Sequence, residues 1–335
     1  MPRELRLHAF GGPENLRIDD EPRADPGPGQ VRLRVQACSL NMDQFRFLAG
    51  DQYGAAQPPA LPSRIGYEAA GVVEAVGEGV DQAWLGQSVA PIGPFDVTKY
   101  GCLGDEGIVP ADRLSAYPET LTPEQAAALW VPYLTAYGVV HAGGLREGDY
   151  LALPAAASAV GVAAMQIARD LGALPIAVTR AAAKADQLRE LGAHDVIVSS
   201  EEDYVERVAT ITGGRGARVT FDPIGGDFLA QTTAAASRGG VVVEYGRLAG
   251  EAGGFPQMAV IGKGLTIRGF TVSEIVSDPE LRARAAAYVL ERVADGRFVP
   301  RVARTFRLED FAAAFAYVKA GPELGRTVLV TSPTV

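Results

Sequence analysis

The sequence predicts an α/β fold of two domains, a doubly wound parallel sheet in the middle of the chain and a mostly antiparallel β-barrel. At 335 residues the chain exceeds one ordinary domain of about 150 residues. Near residue 120 its texture changes from short strands set between turns to strands alternating with helices. Within the second part, residues 149–180 (DYLALPAAASAVGVAAMQIARDLGALPIAVTR) read as strand, tight turn, helix and strand, the unit from which parallel sheets are wound.

Residues 1–125 are rich in strands. The loop PRADPGPGQ (22–30) feeds VRLRVQA, where Val31, Leu33, Val35 and Ala37 alternate with Arg32, Arg34 and Gln36 in a half-buried pattern of period two. GYEAAGVVEAVGEGV (66–80), 89–92 and 107–109 are further strands, and a partly open antiparallel barrel buries such pieces. Between them lie ALPSRIGYE and residues 41–53, where functional side chains tend to be placed. Thr122-Pro123-Glu124-Gln125 then opens a helix, with Thr as cap and Gln at its third position. Strands and helices alternate to about residue 271, at 196–199, 201–211, 218–221, 228–236, 241–245 and 265–270. Residues 280–335 break that rhythm with a helix (281–294), an extended piece (302–306), a helix (308–319) and a last strand (326–330), and are expected to return to the first domain.

In the central unit Val160, Ala163, Ala164, Ile167, Ala168 and Leu171 fall on one helical face, and Gly172 ends the helix. Such a βαβ unit is the half-module of a dinucleotide fold. The three glycine positions of its phosphate-binding turn hold Ala156, Ser158 and Gly161. Only the glycine used for close helix–strand packing is kept, while Ala and Ser are the smallest replacements and a serine hydroxyl can donate to a phosphate at a helix N-terminus. The alternative is an alanine-rich buried turn with no ligand. Where NAD binders carry an acid for the ribose hydroxyls, this chain has Thr179-Arg180 and then Lys184. Two cations suit a 2′-phosphate and hence NADP(H); a solvated basic pair is the alternative.

Apolar residues make up 47% and charged residues 21%, an ordinary globular balance. A net charge of -9 argues against nonspecific binding to nucleic acid or anionic membrane. No run approaches the roughly 18 apolar residues of a membrane span, and MPRELRLHAF lacks the apolar core of a signal peptide, so a cytoplasmic location is expected. Cys38 and Cys102 fit neither a disulfide framework nor a zinc pattern, and His8, His141 and His194 each stand alone, so no metal site is expected.

HAFGGPENLRI, PGPGQVRLRVQACSLN, GYEAAGVVEAVGEGV, AAALWVPYLTAYGVV, PAAASAVGVAAMQIARDLGA, ITGGRGARVTFDPIGG, GGVVVEYG and GRTVLV, in this order over nearly the full length, resemble the medium-chain dehydrogenase/reductase superfamily, in its zinc-free quinone oxidoreductase branch. The resemblance implies a GroES-like catalytic domain from residues 1–125 and 272–335 and a Rossmann NADPH-binding domain from 126–271. Asn41 stands where zinc-dependent relatives carry a cysteine ligand, Tyr67 replaces the histidine of their G-H-E motif, and the structural-zinc lobe is missing. The branch's usual cofactor loop, A-A-x-G-G-V-G, has Ser158 and Ala159 at its two central glycines here.

By resemblance, cofactor contacts fall on Asn41, Thr135, Ser158, Ala159, Val160, Gly161, Thr179, Arg180, Lys184, Gly225, Tyr245, Gly246 and Arg326. Asn41, Tyr53 and Tyr67 are the polar groups implied near the nicotinamide, with Tyr53 ahead of Tyr67 as hydrogen-bond or proton donor and Glu68 structural. Implied is NADPH-dependent hydride transfer to a small electrophile, a quinone or an α,β-unsaturated carbonyl, by a homodimer joined through 265–270. An enoyl-thioester reductase and a redox-inactive NADPH-binding structural protein of the same fold are the alternatives.

Overall fold

The computed structural model describes residues 1–51, 58–321 and 323–331, so Tyr53 lies outside the described residues. The chain forms two compact units, Met1–Val131 with Val299–Val335, and Pro132–Phe298.

The first unit contains β1 (Arg3–Leu7), β2 (Leu16–Asp20), β3 (Gln30–Leu40), β4 (Ser63–Arg64), β5 (Ala69–Val76), β6 (Ser88–Pro91), β7 (Glu106–Pro110) and β8 (Leu114–Ala116). β3 is its spine. β5 and β7 pair with it antiparallel, and so does the last strand of the chain. Val31, Leu33 and Val35 point into the core as the alternation requires. Arg32 is buried as well, because its guanidinium donates to the Ala24 carbonyl at 3.1 Å and to Asp25 at 3.2 Å. The helix Met42–Leu48 follows β3 directly, and Phe45 meets Phe315 edge to face with ring centroids 5.5 Å apart. The ALPSRIGYE stretch, expected as loop, includes β4, which pairs with β1.

The second unit holds β9 (Tyr150–Leu153), β10 (Leu174–Thr179), β11 (Asp195–Val198), β12 (Ala217–Asp222), β13 (Ala236–Glu244) and β14 (Thr266–Gly269). All are parallel, in the order β11-β10-β9-β12-β13-β14. Numbered within the unit this is 3-2-1-4-5-6, the dinucleotide-binding winding, whose crevice opens at the carboxyl ends where the order reverses between β9 and β12. β15 (Val302–Arg307) and β16 (Arg326–Val330) then complete the seven-stranded sheet of the first unit, β15-β16-β3-β5-β6-β8 with β7 on β3.

The return to the first unit comes at Val299 and not at 272. The reason is the helix Pro279–Ala294, which is tied to the end of the helix Ala159–Asp170. Asp170 accepts from the Tyr288 hydroxyl at 2.9 Å and pairs with Arg292 and Arg297, and the Arg292 guanidinium lies 3.6 Å over the Tyr288 ring. The earlier boundary moves from 125/126 to 131/132, inside the helix Trp130–Ala136. Thr122 caps its helix as expected, with a reciprocal hydrogen-bond pair to Gln125. Among the described residues no helix is long and apolar enough to cross a membrane.

Candidate active site

The cofactor turn runs from the end of β9 into the helix Ala159–Asp170. Gly161 is needed there: a Cβ on it would lie 2.5 Å from the Ala156 carbonyl oxygen, a backbone clash with nowhere to relax. Ser158 is exposed and caps the helix, its Oγ accepting from the Gly161 N–H at 3.1 Å. The hydroxyl proton is still available to an anion at the positive end of the helix. The tight turn that a first glycine usually allows is made by Ala155, at φ 53 in the left-handed region, and not at Ala156 or Ser158. Ala159 and Val160 begin the helix behind the cap.

At the end of β10, Thr179 is buried and its Oγ1 accepts from the Ala181 N–H at 3.2 Å, which folds the chain back beside Arg180. Arg180 is exposed and Lys184 half-buried. Burial pushes the Lys184 ammonium down, and the positive charge of Arg180 pushes it the same way. The predicted cations therefore share one place. On the other side of the crevice Gly225 and Gly226 both adopt the left-handed conformation after β12. Tyr245 and Gly246 follow β13; the Tyr245 N–H donates to the Asp222 carbonyl at 2.9 Å, and Tyr245 stacks on Phe221 at 4.0 Å. Thr135 is buried in the helix Trp130–Ala136.

In the first unit the structure brings together Asn41, Tyr67, Glu68 and Arg326. Asn41 caps the helix Met42–Leu48 through a reciprocal pair with Gln44, which leaves its amide nitrogen pointing away from the helix. That nitrogen donates to Glu68 Oε2 at 2.6 Å and reaches the Tyr67 hydroxyl at 3.5 Å. Arg326 donates to both Glu68 oxygens, at 2.9 and 3.0 Å. Burial pushes the Glu68 carboxyl up, and Arg326 and Asn41 pull it back. Every group on it is a donor, so the ionised form is the one this geometry fits.

The Tyr67 hydroxyl donates to Asp43 Oδ2 at 3.4 Å. Burial and the nearby Asp43 and Glu68 raise the phenol, so it stays protonated, and burial also raises Asp43. These two groups edge a small cavity of about 40 Å³ otherwise lined by Phe47, Leu48, Ile65 and Val97 among others. Sequence reasoning missed Asp43, because an acid in the first turn of a helix is the commonest of dipole partners.

The donors do not fit a catalytic zinc. Among the described residues no three His, Cys, Asp or Glu side chains converge on a common point. Glu68, the carboxylate next to Tyr67, is already neutralised by Arg326, and neither the Asn41 amide nor the Tyr67 phenol is a usual zinc ligand.

Comparison with known proteins agrees with this architecture. The alcohol dehydrogenase GroES-like domain family matches residues 27–149, and the zinc-binding dehydrogenase family matches residues 159–290. The chain is 32% identical to the synaptic vesicle membrane protein VAT-1 homolog of Rattus norvegicus, over 99% of this chain and 84% of that protein. It is 31% identical to a 2-haloacrylate reductase of Burkholderia sp over 97% of both chains. The crystal structure of Escherichia coli quinone oxidoreductase complexed with NADPH superposes with a TM-score of 0.87 at 28% identity, covering 98% of this chain and 99% of that one. The chain belongs to the medium-chain dehydrogenase/reductase superfamily, in its quinone oxidoreductase-like branch.

Proposed function

We propose that the protein is an NADPH-dependent reductase of conjugated electrophiles, quinones or α,β-unsaturated carbonyls, that works without zinc. The observation that carries this reading is the Arg326–Glu68 pair, in which one guanidinium nitrogen, Nη2, reaches both oxygens of the carboxylate beside Asn41 and Tyr67 and neutralises it. NADPH, when bound, supplies the hydride. The turn at Ser158–Gly161 presents a helix N-terminus and a hydroxyl to a pyrophosphate. Arg180 and Lys184 offer two cations to a 2′-phosphate. The complex of the Escherichia coli quinone oxidoreductase with NADPH supports the same choice.

A catalytic metal contributes several kcal/mol of charge stabilisation to carbonyl reduction. Here the donors available to a developing oxyanion are Asn41 and Tyr67, and removing one such donor in other enzymes costs about 2.7–4 kcal/mol. Neither equals a divalent charge, so the acceptor must spread the incoming charge itself, which conjugation does by moving it to an oxygen remote from the attacked carbon. The cavity walls beside Tyr67 are largely apolar, which favours an uncharged acceptor over a charged one. Tyr67 then gives its proton to the enolate, and Asp43 is the nearest group able to return it. Tyr53, implied by the resemblance as a donor, belongs to the same proposal.

A homodimer through β14 is part of this reading. β14 is the last strand of its sheet, and the helix leading into it exposes Met258 (79%) and Ile261 (66%). A monomer by light scattering at micromolar concentration contradicts the dimer. NADPH oxidation against quinones, enones, enoyl thioesters and saturated ketones tests the reaction. Turnover of the first two and inert saturated ketones are expected; saturated ketones as best substrates overturn it.

A further inference from the structure

Two acids at the carboxyl ends of neighbouring strands are left unused by the cofactor reading. Asp222 ends β12 and Glu244 ends β13, and the parallel register sets them side by side. Asp222 is fully buried. Its Oδ1 accepts from the Ile224 N–H at 2.7 Å. Asp222 Oδ2 and Glu244 Oε1 are both buried, and neither receives an N–H or hydroxyl from the described residues. Two anions in contact without a donor repel strongly in a medium of low dielectric. One shared proton removes the repulsion and satisfies both oxygens, with Glu244 as the acid and Asp222 as the acceptor.

We propose that Glu244 is a positioning residue for the dinucleotide: its neutral carboxyl donates to Asp222, and Asp222 thereby anchors the Ile224–Gly226 turn at the mouth of the crevice. This rests on the reading of that crevice as the cofactor site. The turn's carbonyls are bonded to the loop and helix beyond it, Ile224 accepting from the Ala249 N–H at 3.0 Å and Gly225 from the Phe228 N–H at 3.2 Å, and Asp222 holds it from the strand side through the Ile224 N–H. A Cβ on Gly225 would lie 3.2 Å from Glu244 Oε2, so the acid also underlies the turn.

Burial, then the charge of Asp222, pushes the Glu244 carboxyl up to about 8. The neighbouring ionisable groups do not offset this. Tyr245 follows on the same strand and Tyr204 faces the pair from the helix Tyr204–Ile211, and both phenols are raised by burial and so remain neutral. Arg268, on the adjoining β14, is engaged by Glu274 at 2.7 Å. Arg247 follows in the next loop, with its Cα 4.0 Å from the Cβ position of Gly225. No cation contributes to the Glu244 shift. Once Glu244 ionises, the two carboxylates repel, Asp222 is pushed from the place where it holds the turn, and two negative charges lie under an anionic ligand.

The test is a titration of NADPH and NADH binding between about pH 7 and about pH 9.5, for the wild type and for Glu244→Gln, whose carboxamide donates at every pH. NADH lacks the 2′-phosphate, so loss of the Lys184 charge does not enter its profile. For both ligands the wild-type affinity is expected to fall by up to about tenfold per pH unit once the dyad ionises, while the Gln variant stays flat. The infrared band of a protonated carboxyl should be present in the wild type at neutral pH, disappear with the same midpoint, and be missing from the variant. Binding that is independent of pH in the wild type overturns the proposal and leaves the cofactor reading standing. Failure to bind either dinucleotide at any pH overturns both. If the Gln variant does not fold, the wild type decides: affinity and carboxyl band must share one midpoint, and separate midpoints refute the role of Glu244.

Discussion

Glu68 in the first unit, fully buried, and Glu244 in the second, half-buried, are acids that meet opposite surroundings. Both are pushed up by burial. Glu68 is met only by donors, the Arg326 guanidinium and the Asn41 amide, and so is held as an anion. Glu244 is met by another carboxyl and keeps its proton. Burial sets the penalty on the charged form, and the partner decides whether charge or proton relieves it. In the first unit the result is a fixed, neutralised cluster; in the second it is a group that titrates near physiological pH.

The largest expected effect breaks the first of these. Arg326→Met leaves Glu68 buried without its cation, which should cost about 3–5 kcal/mol of stability in denaturant unfolding at neutral pH. The loss should shrink in acid, because Glu68 can then protonate. An equal loss at all pH values would show that packing of the arginine stem, and not charge, is at issue.

Removing both cations beside the predicted 2′-phosphate, with Arg180→Ala and Lys184→Ala together, should weaken NADPH by about 2–3 kcal/mol and NADH by much less. Equal affinity of the unmutated protein for the two dinucleotides refutes the assignment of these residues. Ser158→Ala removes the helix cap and should cost about 1 kcal/mol of stability, read as a lower midpoint of denaturation. It should also weaken both dinucleotides, since the hydroxyl serves the phosphate in each.

The smallest effect sharpens the second half of the contrast. Folded Glu244 holds its proton up to about 8, whereas the exposed acid releases it near 4.5. The folded state therefore binds more protons between those values, and its stability falls as pH rises through that window and levels off above it. Glu244→Gln lacks this loss. Relative to the wild type its thermal midpoint should rise with pH and be highest in mild alkali; a difference that does not vary with pH contradicts the shared proton.

Local pattern made much of this legible. The 149–180 unit, the Thr122–Gln125 cap and the last strand, Arg326–Val330, follow from spacing and capping chemistry that neighbours in sequence decide. What escaped depends on pairs distant in the chain. Glu244 closes an apolar strand, VVVEYG, where an acid invites inspection, yet its partner is 22 residues away and known only once β12 and β13 are paired. Glu68 and Arg326 stand 258 residues apart, so their ion pair is visible only in the fold. The helix Pro279–Ala294 breaks the alternation of strands and helices and so reads as part of the first unit, but Asp170 holds it to the second.

The claim that a guanidinium replaces a metal at Glu68 is tested most directly by turnover of a conjugated enone with NADPH, before and after exhaustive chelation, with zinc content measured on the same samples. The account predicts an unchanged rate and far less than one zinc per chain. Loss of activity on chelation, restored by added zinc, would contradict it.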